Sequence, residues 1–211
     1  MVKKLMSPER RIYIAGVPID TFSVKDASTI IENTIVDNSK LKIAPVNAAV
    51  IVAANQDEVF MEMLHRFDLL ITDGFWSAFA GKIITKRPVP HTNTIPFVRE
   101  IFKKPDLDLS VFLLGAKQEV IGEAAKNFAQ LFPDITVVGY RNGYFSEEDE
   151  HNIVRQINSS GANVVLLGMS SPKKEKFMDD HFENLELNLS IGVGGLFDIW
   201  AGEISEAPKC I

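Results

Sequence analysis

Three stretches of the sequence carry residue types that could act on a phosphorylated ligand, and the first contains Asp73. This aspartate follows the apolar run Leu69-Leu70-Ile71, so its carboxylate would lie at the mouth of a largely apolar crevice. Burial raises the pKa of a carboxylate, which makes such a group suitable as a general base near neutral pH. Asp-Gly is equally a common turn, in which the aspartate bonds its own backbone. Spacing alone leaves both interpretations open.

The second stretch places two lysines at the start of a predicted helix. Lys173 and Lys174 fall in the first turn of the helix that Ser171-Pro172 begins. The helix dipole favours anions at this end, so two lysines in the first turn break a local rule. Such exceptions are typical of functional sites. Backbone amide groups and lysines together are suited to bind a diphosphate. The alternative is a solvated lysine pair that is offset by Glu175.

The third stretch combines two glycines with a carboxylate. Gly194-Gly195 would let the backbone approach a ligand closely, and Asp198 lies one helical turn further on. Asp198 could accept hydrogen bonds from a ribose hydroxyl or cap the short helix predicted at 197–201. Tyr144 and Phe145 could stack on a base, although an aromatic pair beside a helix start is more often part of the core.

Apolar runs that alternate with helical patterns predict how these residues are brought together. The predicted strands are 11–15, 41–44, 68–72, 109–114, 135–138, 164–167 and 189–193. Uninterrupted apolar runs are typical of parallel strands buried on both faces, so we predict a doubly wound, mainly parallel, Rossmann-like α/β sheet. It forms a single domain over 1–211, with 1–10 expected to be disordered. Ligands bind beyond the carboxyl ends of such strands. One crevice should therefore hold Asn47, Asp73, Gly115 to Lys117, Tyr140 to Tyr144, Ser170 to Lys174 and Gly194 to Asp198.

Residues 85–96 are predicted to be a loop, because they include three prolines, Pro88, Pro90 and Pro96. The loop is long enough to act as a lid, and a short helix at 97–102 should follow it. His91 and Asn93 are the candidates in this loop to contact an acceptor. His91 is the second choice, after Asp73, as the base.

Composition and missing motifs narrow the function. The 211 residues are 46% hydrophobic and 24% charged, with a net charge of −6 that argues against nucleic-acid binding. Cys210 is the single cysteine, and no apolar run approaches the roughly 20 residues of a membrane span. We therefore expect a cytoplasmic protein, with peripheral membrane contact left open. There is no G-x-G-x-x-G and no Walker A sequence, and the four histidines lack metal-ligand spacing, so no metal and no cofactor are expected.

With these residues in place, the chain resembles the WecG/TagA/CpsF glycosyltransferase family, which is family 26 in the usual classification. The resemblance runs from about 14 to 208, and Asn47 and Asp73-Gly74 match the family's N-terminal pair. Its most specific parts are Leu114-Gly115, 133–139, Gly143-Tyr144-Phe145, Gly168 with Ser171-Pro172-Lys173, and Gly192-Val193-Gly194-Gly195 with Phe197-Asp198 and Ala201-Gly202.

The resemblance implies an inverting, metal-independent enzyme that moves a sugar from a UDP donor to a polyprenyl-diphosphate-linked sugar in teichoic acid or surface polysaccharide assembly. The aspartate that matches Asp73 is the proposed base in that family. We expect no cofactor beyond the UDP-sugar co-substrate, and a homo-oligomer. The predicted donor-binding residues are Asn47, Gly115, Tyr144, Ser171, Lys173, Lys174, Gly194, Gly195 and Asp198.

Several departures from the family pattern support an alternative. Pro45-Val46 replaces a usual Thr-Pro, and Phe75-Trp76 replaces small residues. Residues 89–94 lack the family's arginine, and Lys174 stands where a glutamine is usual. The family also continues beyond 208 with a basic tail, where this sequence ends. The missing arginine, the lysine at 174 and the absent tail favour a catalytically silent relative that binds a nucleotide sugar or a partner enzyme. A third hypothesis, a nicotinamide-dependent oxidoreductase, depends only on fold class.

Overall fold

The computed structural model describes residues 8–86, 89–90, 92–103 and 107–206. Eight strands in this part of the chain form one sheet. They are β1 (Arg11–Ile14), β2 (Val17–Asp20), β3 (Leu41–Val46), β4 (Leu69–Thr72), β5 (Ser110–Gly115), β6 (Thr136–Arg141), β7 (Val164–Gly168) and β8 (Leu189–Gly192). Their order across the sheet is β1-β2-β4-β3-β8-β7-β5-β6. Every neighbouring pair is parallel except β1 and β2, so the predicted mainly parallel sheet is confirmed.

Helices cover both faces of this sheet. They are α1 (Val24–Val36), α2 (Ala48–Gln56), α3 (Glu58–His65), α4 (Phe75–Thr85), α5 (Thr94–Phe102), α6 (Gln118–Leu131), α7 (Glu147–Ser159), α8 (Lys173–His181) and α9 (Leu196–Trp200). Helices α1, α5, α6 and α9 contribute to one apolar cluster, and α2, α3, α7 and α8 contribute to the other. The predicted doubly wound α/β architecture is therefore confirmed.

The strands are apolar throughout because both of their faces are buried. In β5, Leu113 packs into one cluster while its neighbours Phe112 and Leu114 pack into the other. Successive side chains of a strand point to opposite faces, so an uninterrupted apolar run supplies both layers at once. The uninterrupted apolar runs in the sequence are therefore explained by the apolar cluster on each face of the sheet.

Several local predictions were wrong. No strand was predicted at 17–20, which form β2, and Pro8–Arg10, which we expected to be disordered, forms a 3₁₀ turn. Strand β6 runs on to Arg141 instead of ending at 138. Helix α5 begins at Thr94, within the predicted loop, and holds Pro96 in its first turn. A proline is tolerated there because the first amide groups of a helix have no partner within that helix.

A buried aspartate attaches the β1–β2 hairpin to the parallel part of the sheet. Asp20 accepts two hydrogen bonds from Arg11, each 2.8 Å long, and a third from the backbone amide of Leu70 at 2.7 Å. A buried carboxylate is stable only when it is paired and hydrogen-bonded in this way. Asp20 therefore fixes β2 against β4, the strand that leads to Asp73.

A second carboxylate fixes helix α8, whose first turn contains the two candidate lysines. Asp179 accepts hydrogen bonds from Lys42 of β3 at 2.7 Å and from Nε of Arg66 at 2.9 Å. Burial by itself would raise the pKa of Asp179, but the hydrogen bonds from Arg66 and Lys42 outweigh burial and lower it. The carboxylate thus stays ionised and holds the far end of α8 against the sheet.

Candidate functional site

A cavity of about 740 Å³ lies at the carboxyl ends of β3, β4, β5, β6, β7 and β8. Its position is the one at which open α/β sheets bind ligands. The predicted residues that line it are Asn47, Asp73, Tyr144, Ser171, Lys173, Lys174, Gly194, Gly195 and Asp198. Six strand exits therefore meet in one place, as expected from the sequence.

Asp73 is held at the mouth of this cavity by a segment that is distant in sequence. Its backbone amide donates to the carbonyl of Val46 at 2.9 Å, and its Oδ1 accepts a hydrogen bond from the backbone amide of Thr94 at 3.2 Å. The amide of the next residue, Gly74, donates to the side chain of Asn93 at 3.1 Å. Within the described ranges, Oδ2 of Asp73 accepts no hydrogen bond. One carboxylate oxygen is therefore used to orient the side chain, and the other can accept a proton.

The segment before α5 is anchored where its residues are described. Thr72 donates its hydroxyl proton to the carbonyl of Pro90 at 2.6 Å, and Thr92 donates to the carbonyl of Phe22 at 2.7 Å. Thr92 is buried, so this part of the predicted lid is fixed against the sheet. Asn93 contacts Gly74 but does not line the cavity. His91 lies outside the described residues.

We expect Thr92→Val to destabilise the fold by about 1–3 kcal/mol, because valine keeps the shape but leaves the buried carbonyl of Phe22 unpaired. Urea denaturation measures the loss. Thr29→Val is the matched control, since the Thr29 hydroxyl bonds a carbonyl of its own helix at the surface. That change should alter stability by less than about 0.5 kcal/mol. Equal stability of both variants would show that this segment is not anchored through Thr92.

Lys173 reaches the cavity with its charge intact. Its ammonium donates to the carbonyl oxygens of Gly143 at 2.9 Å and Phe145 at 3.0 Å, and it lies 3.9 Å from the centre of the Phe145 ring. These partners carry no net charge, and Lys173 forms no ion pair with any residue that the structure describes. An ammonium has three N–H donors, so one donor remains. Lys173 thus brings a positive charge and a free donor to the cavity wall.

Lys174 is different, because its charge is compensated. It is only 3% exposed, and its ammonium donates to the hydroxyl of Ser171 at 2.6 Å and to the carboxylate of Glu175. Glu175 is fully buried and also accepts a hydrogen bond from Ser171 at 2.8 Å. The alternative of a solvated lysine pair is therefore wrong, although its pairing with Glu175 is correct for Lys174.

Helices α6 and α8 start at the cavity without a side chain to cap them, as do α5 and α9. The capping positions of α6 and α8 are Lys117 and Pro172, and neither makes a side-chain hydrogen bond to its helix. By contrast, Ser23 caps α1 and Asp57 caps α3. Amide groups of an uncapped first turn, together with the helix dipole, attract anions. Helix α2 also starts at the cavity but has a side-chain cap, so capping alone does not distinguish the helix ends there; α6 and α8 are the uncapped starts that carry a lysine in the cavity wall.

The remaining predicted residues divide into lining and supporting groups. Asn47 caps α2 through Oδ1, which accepts from the amide of Val50 at 3.0 Å, so its amide nitrogen is left to donate. Gly115 does not line the cavity. A Cβ at Gly115 would lie 2.3 Å from the carbonyl oxygen of Gly168, so this glycine allows two strand ends to approach closely. Ala116 and Lys117 line the wall in its place.

The aromatic prediction is partly corrected. Tyr144 is 73% exposed at the cavity, so it is not part of the core, whereas Phe145 packs against Phe177 with ring centres 5.8 Å apart. Tyr140 lies in β6 and faces a shallow depression beside Gly122, away from the cavity. Of the predicted stretch from Tyr140 to Tyr144, Gly143 and Tyr144 line the cavity.

Some lining residues were not among those predicted. They include Thr94 and Ile95 at the start of α5, Ile199 in α9, and Ile204 in the segment after α9. Thr94 was missed because its helix was predicted to start three residues later. No sequence pattern pointed to Ile204, since the chain returns to the cavity there through the hydrogen bond of its amide to the carbonyl of Asp198.

No group of three or more histidine, cysteine, aspartate or glutamate side chains is arranged to hold a metal ion in the part of the chain that the structure describes. In that same part, no helix combines the length and hydropathy that crossing a bilayer requires.

Fold and site together define a doubly wound α/β protein with a candidate ligand site at the carboxyl edge of its sheet. The chain belongs to the WecG/TagA/CpsF family of glycosyl transferases, whose sequence profile matches residues 12–211. The resemblance stated from the sequence is thus confirmed.

Two curated relatives carry the same name, N-acetylglucosaminyldiphosphoundecaprenol N-acetyl-beta-D-mannosaminyltransferase. The protein from Bacillus subtilis strain 168 is 25% identical over 168 residues, which is 79% of this chain and 65% of the relative. The protein from Staphylococcus aureus strain NCTC 8325 / PS 47 is 28% identical over 204 residues, which is 94% of this chain and 78% of the relative. The match thus covers 65% of the length of the Bacillus subtilis protein and 78% of the length of the Staphylococcus aureus protein.

Proposed function

We propose that this protein is an inverting glycosyltransferase that moves a sugar from a UDP-sugar to a polyprenyl-diphosphate-linked acceptor, without a metal ion. The family and the names of its relatives support sugar transfer to such an acceptor. The observation that carries the proposal is that one cavity joins a half-buried carboxylate, Asp73, to the cationic helix start at Lys173.

In the proposed reaction, the acceptor hydroxyl oxygen attacks the anomeric carbon of the donor sugar. The new C–O bond forms on the face opposite the bond between that carbon and the diphosphate, which breaks, so the configuration inverts. Asp73 takes the hydroxyl proton, and UDP leaves with the bonding electron pair. A base in this role contributes typically about 10²–10⁴-fold to the rate.

The leaving diphosphate needs positive charge on the cavity wall. Lys173 offers an uncompensated ammonium with a remaining donor, and α6 and α8 offer uncapped first turns. Donors that are fixed before the reaction stabilise developing charge without reorganising. We assign the diphosphate to Lys173 and these two helix starts. Lys174, which the sequence suggested equally, serves instead to place Ser171.

The donor's nucleoside and sugar occupy the rest of the cavity in this proposal. Asp198 makes no side-chain hydrogen bond to the described residues, and it lies beside Gly195, so it can accept from ribose hydroxyls. Tyr144 presents an exposed ring on which a base can stack. The amide nitrogen of Asn47 can donate to a hydroxyl of the donor sugar.

Calorimetry with UDP and UDP-sugars, followed by a transfer assay, tests the proposal. The relatives' names make UDP-N-acetylmannosamine the first donor and N-acetylglucosaminyl-diphosphoundecaprenol the first acceptor. We expect UDP to bind and to raise the melting temperature. NMR of the product should show the anomeric configuration inverted, and EDTA should leave the rate unchanged.

The assay also distinguishes the alternatives. Binding of UDP-sugars without transfer to any prenyl-diphosphate acceptor would indicate the catalytically silent relative. Retained configuration or loss of rate in EDTA would contradict the proposed mechanism. Family membership favours glycosyl transfer over the nicotinamide-dependent hypothesis, and NAD should not compete with UDP.

A further inference from the structure

Helix α4 exposes a stripe of large apolar side chains. Phe75 is 60% exposed, Trp76 69%, Phe79 43% and Ile83 62%. Phe75, Phe79 and Ile83 follow one another at intervals of four, so they lie on one face of the helix. Phe75 and Phe79 stack with ring centres 5.6 Å apart, and Trp76 lies 6.1 Å from Phe79. A contiguous exposed apolar patch of this kind marks a binding surface more often than chance exposure.

The opposite face of α4 is packed against the rest of the protein, which fixes the stripe on the outside. This face carries Ser77 and Gly81, which are buried. A Cβ at Gly81 would lie 3.0 Å from Val89 and 3.1 Å from Ile12, so the backbone is packed tightly there. Since the buried face is composed of small residues in close contact, the aromatic face is the one that α4 presents outward.

The sequence segment that contains the stripe is basic, whereas the whole chain is acidic. From Gly74 to Val98 the sequence contains Lys82, Lys86 and Arg87 but no aspartate or glutamate, whereas the whole chain has a net charge of −6. Lys82 and Lys86 are exposed. Aromatic side chains combined with lysines on one helix face are typical of helices that lie in the interface of an anionic membrane.

The location of the stripe connects it with the site. Helix α4 begins at Phe75, two residues after Asp73, and Gly74 between them caps the helix. A membrane that contacts α4 would therefore lie next to the mouth of the cavity. An acceptor anchored in that membrane by its prenyl chain would bring its sugar to Asp73 without leaving the bilayer.

We infer that the aromatic face of α4 docks on the surface of a membrane that contains anionic lipids, with Phe75, Trp76, Phe79 and Ile83 inserted between headgroups. The inference rests on the proposed function for the identity of the acceptor. A second copy of the chain fits less well. An isologous pairing of this face would bury Lys82 against a helix that has no carboxylate to pair with it.

Trp76 supplies a direct test on the intact chain. The sequence has two tryptophans, and the other, Trp200, is only 6% exposed. Vesicles with about one third phosphatidylglycerol should shift the emission of the Trp200→Phe variant to shorter wavelength, and brominated lipids should quench it.

In cosedimentation, the double variant Trp76→Ser/Phe79→Ser should bind such vesicles about tenfold more weakly or worse. Lys82→Gln should lose part of the binding, and uncharged phosphatidylcholine vesicles should bind less of the wild type.

Val36→Ser/Leu131→Ser is the matched control. Val36 and Leu131 are 75% and 56% exposed at the carboxyl ends of α1 and α6, and this variant should bind vesicles like the wild type. Equal binding of wild type and Trp76→Ser/Phe79→Ser, or no binding by the wild type, would overturn the inference. A change of oligomeric state in the α4 variant, without any vesicle binding by the wild type, would assign the face to a second copy instead.

The transfer assay separates this inference from the proposed function. With an acceptor that has a short, water-soluble prenyl chain, the α4 double variant should turn over as fast as the wild type. With the full-length acceptor in vesicles it should be slower. Absence of turnover by the wild type on both acceptors would count against the proposed function. The vesicle-binding results would still decide the role of α4.

Discussion

Asp73→Asn should lower the turnover of sugar transfer by about 10²–10⁴-fold while leaving the affinity for UDP within about twofold. Asparagine keeps the size of the side chain, and its Oδ1 can still accept the amide of Thr94. It cannot take a proton from the acceptor hydroxyl. The change therefore removes the base while keeping the turn that positions it. Initial rates at saturating donor and acceptor, with UDP titrated separately by calorimetry, measure the two quantities.

Asp198→Asn is the matched control for that experiment, since it makes the same chemical change in the same cavity. Asp198 is assigned to the ribose, so its loss should raise the KM for the donor and leave turnover within about tenfold. Similar losses of turnover in both variants would indicate that removing either negative charge from the cavity slows transfer, and that the effect at Asp73 is not specific to a base. Full activity of the Asp73 variant would remove this residue from the role of base.

The sequence predicted the part of the fold that depends on local pattern. The apolar runs predicted the parallel strands, and seven of the eight strands in the described part of the chain overlap the predicted ranges. These elements were predictable because burial on both sheet faces demands an apolar residue at every position. The convergence of Asn47, Asp73 and Gly194 on one cavity then followed from the handedness and direction of parallel strands.

Strand β2 was not predictable in the same way. It is four residues long and contains Pro18, and a proline inside a short run indicates a turn more often than a strand. Its pairing with β1 is local, but its attachment to the rest of the sheet is not. β1 pairs with it on one side, and on the other Asp20 bonds Leu70, which is 50 residues further along the chain. No window of sequence around 17–20 contains that information.

The two lysines of the site show again that local sequence does not reveal contacts with distant residues. Lys173 and Lys174 are equivalent by type, spacing and helix position, so the sequence assigned the diphosphate to both. They differ because the partners of Lys173 are carbonyls 28 and 30 residues away, whereas Lys174 turns inward to Glu175 and Ser171. The direction in which each side chain leaves the helix thus determines which ammonium is paired with a carboxylate and which brings an unpaired positive charge to the cavity.

Lys173→Met should weaken UDP binding by about 10- to 100-fold, because a charge-assisted hydrogen bond to the diphosphate contributes about 1.5–3 kcal/mol. The variant also loses the hydrogen bonds to Gly143 and Phe145, so the local loop could loosen. Uridine titrated against the same variant separates the effects. Its affinity should stay within about threefold of the wild type, since uridine has no phosphate to contact the lysine.

The double variant Lys174→Met/Glu175→Gln provides the control for charge. It removes the buried ion pair from both sides, so no unpaired charge is left behind. Because the pair is already neutral as a unit, UDP should bind this variant within about threefold of the wild type. If instead it loses as much UDP affinity as Lys173→Met, then Lys174 takes part in holding the diphosphate and the assignment to Lys173 alone is wrong. Unchanged UDP binding by Lys173→Met would place the diphosphate elsewhere in the cavity, with the uncapped starts of α6 and α8 as its remaining support.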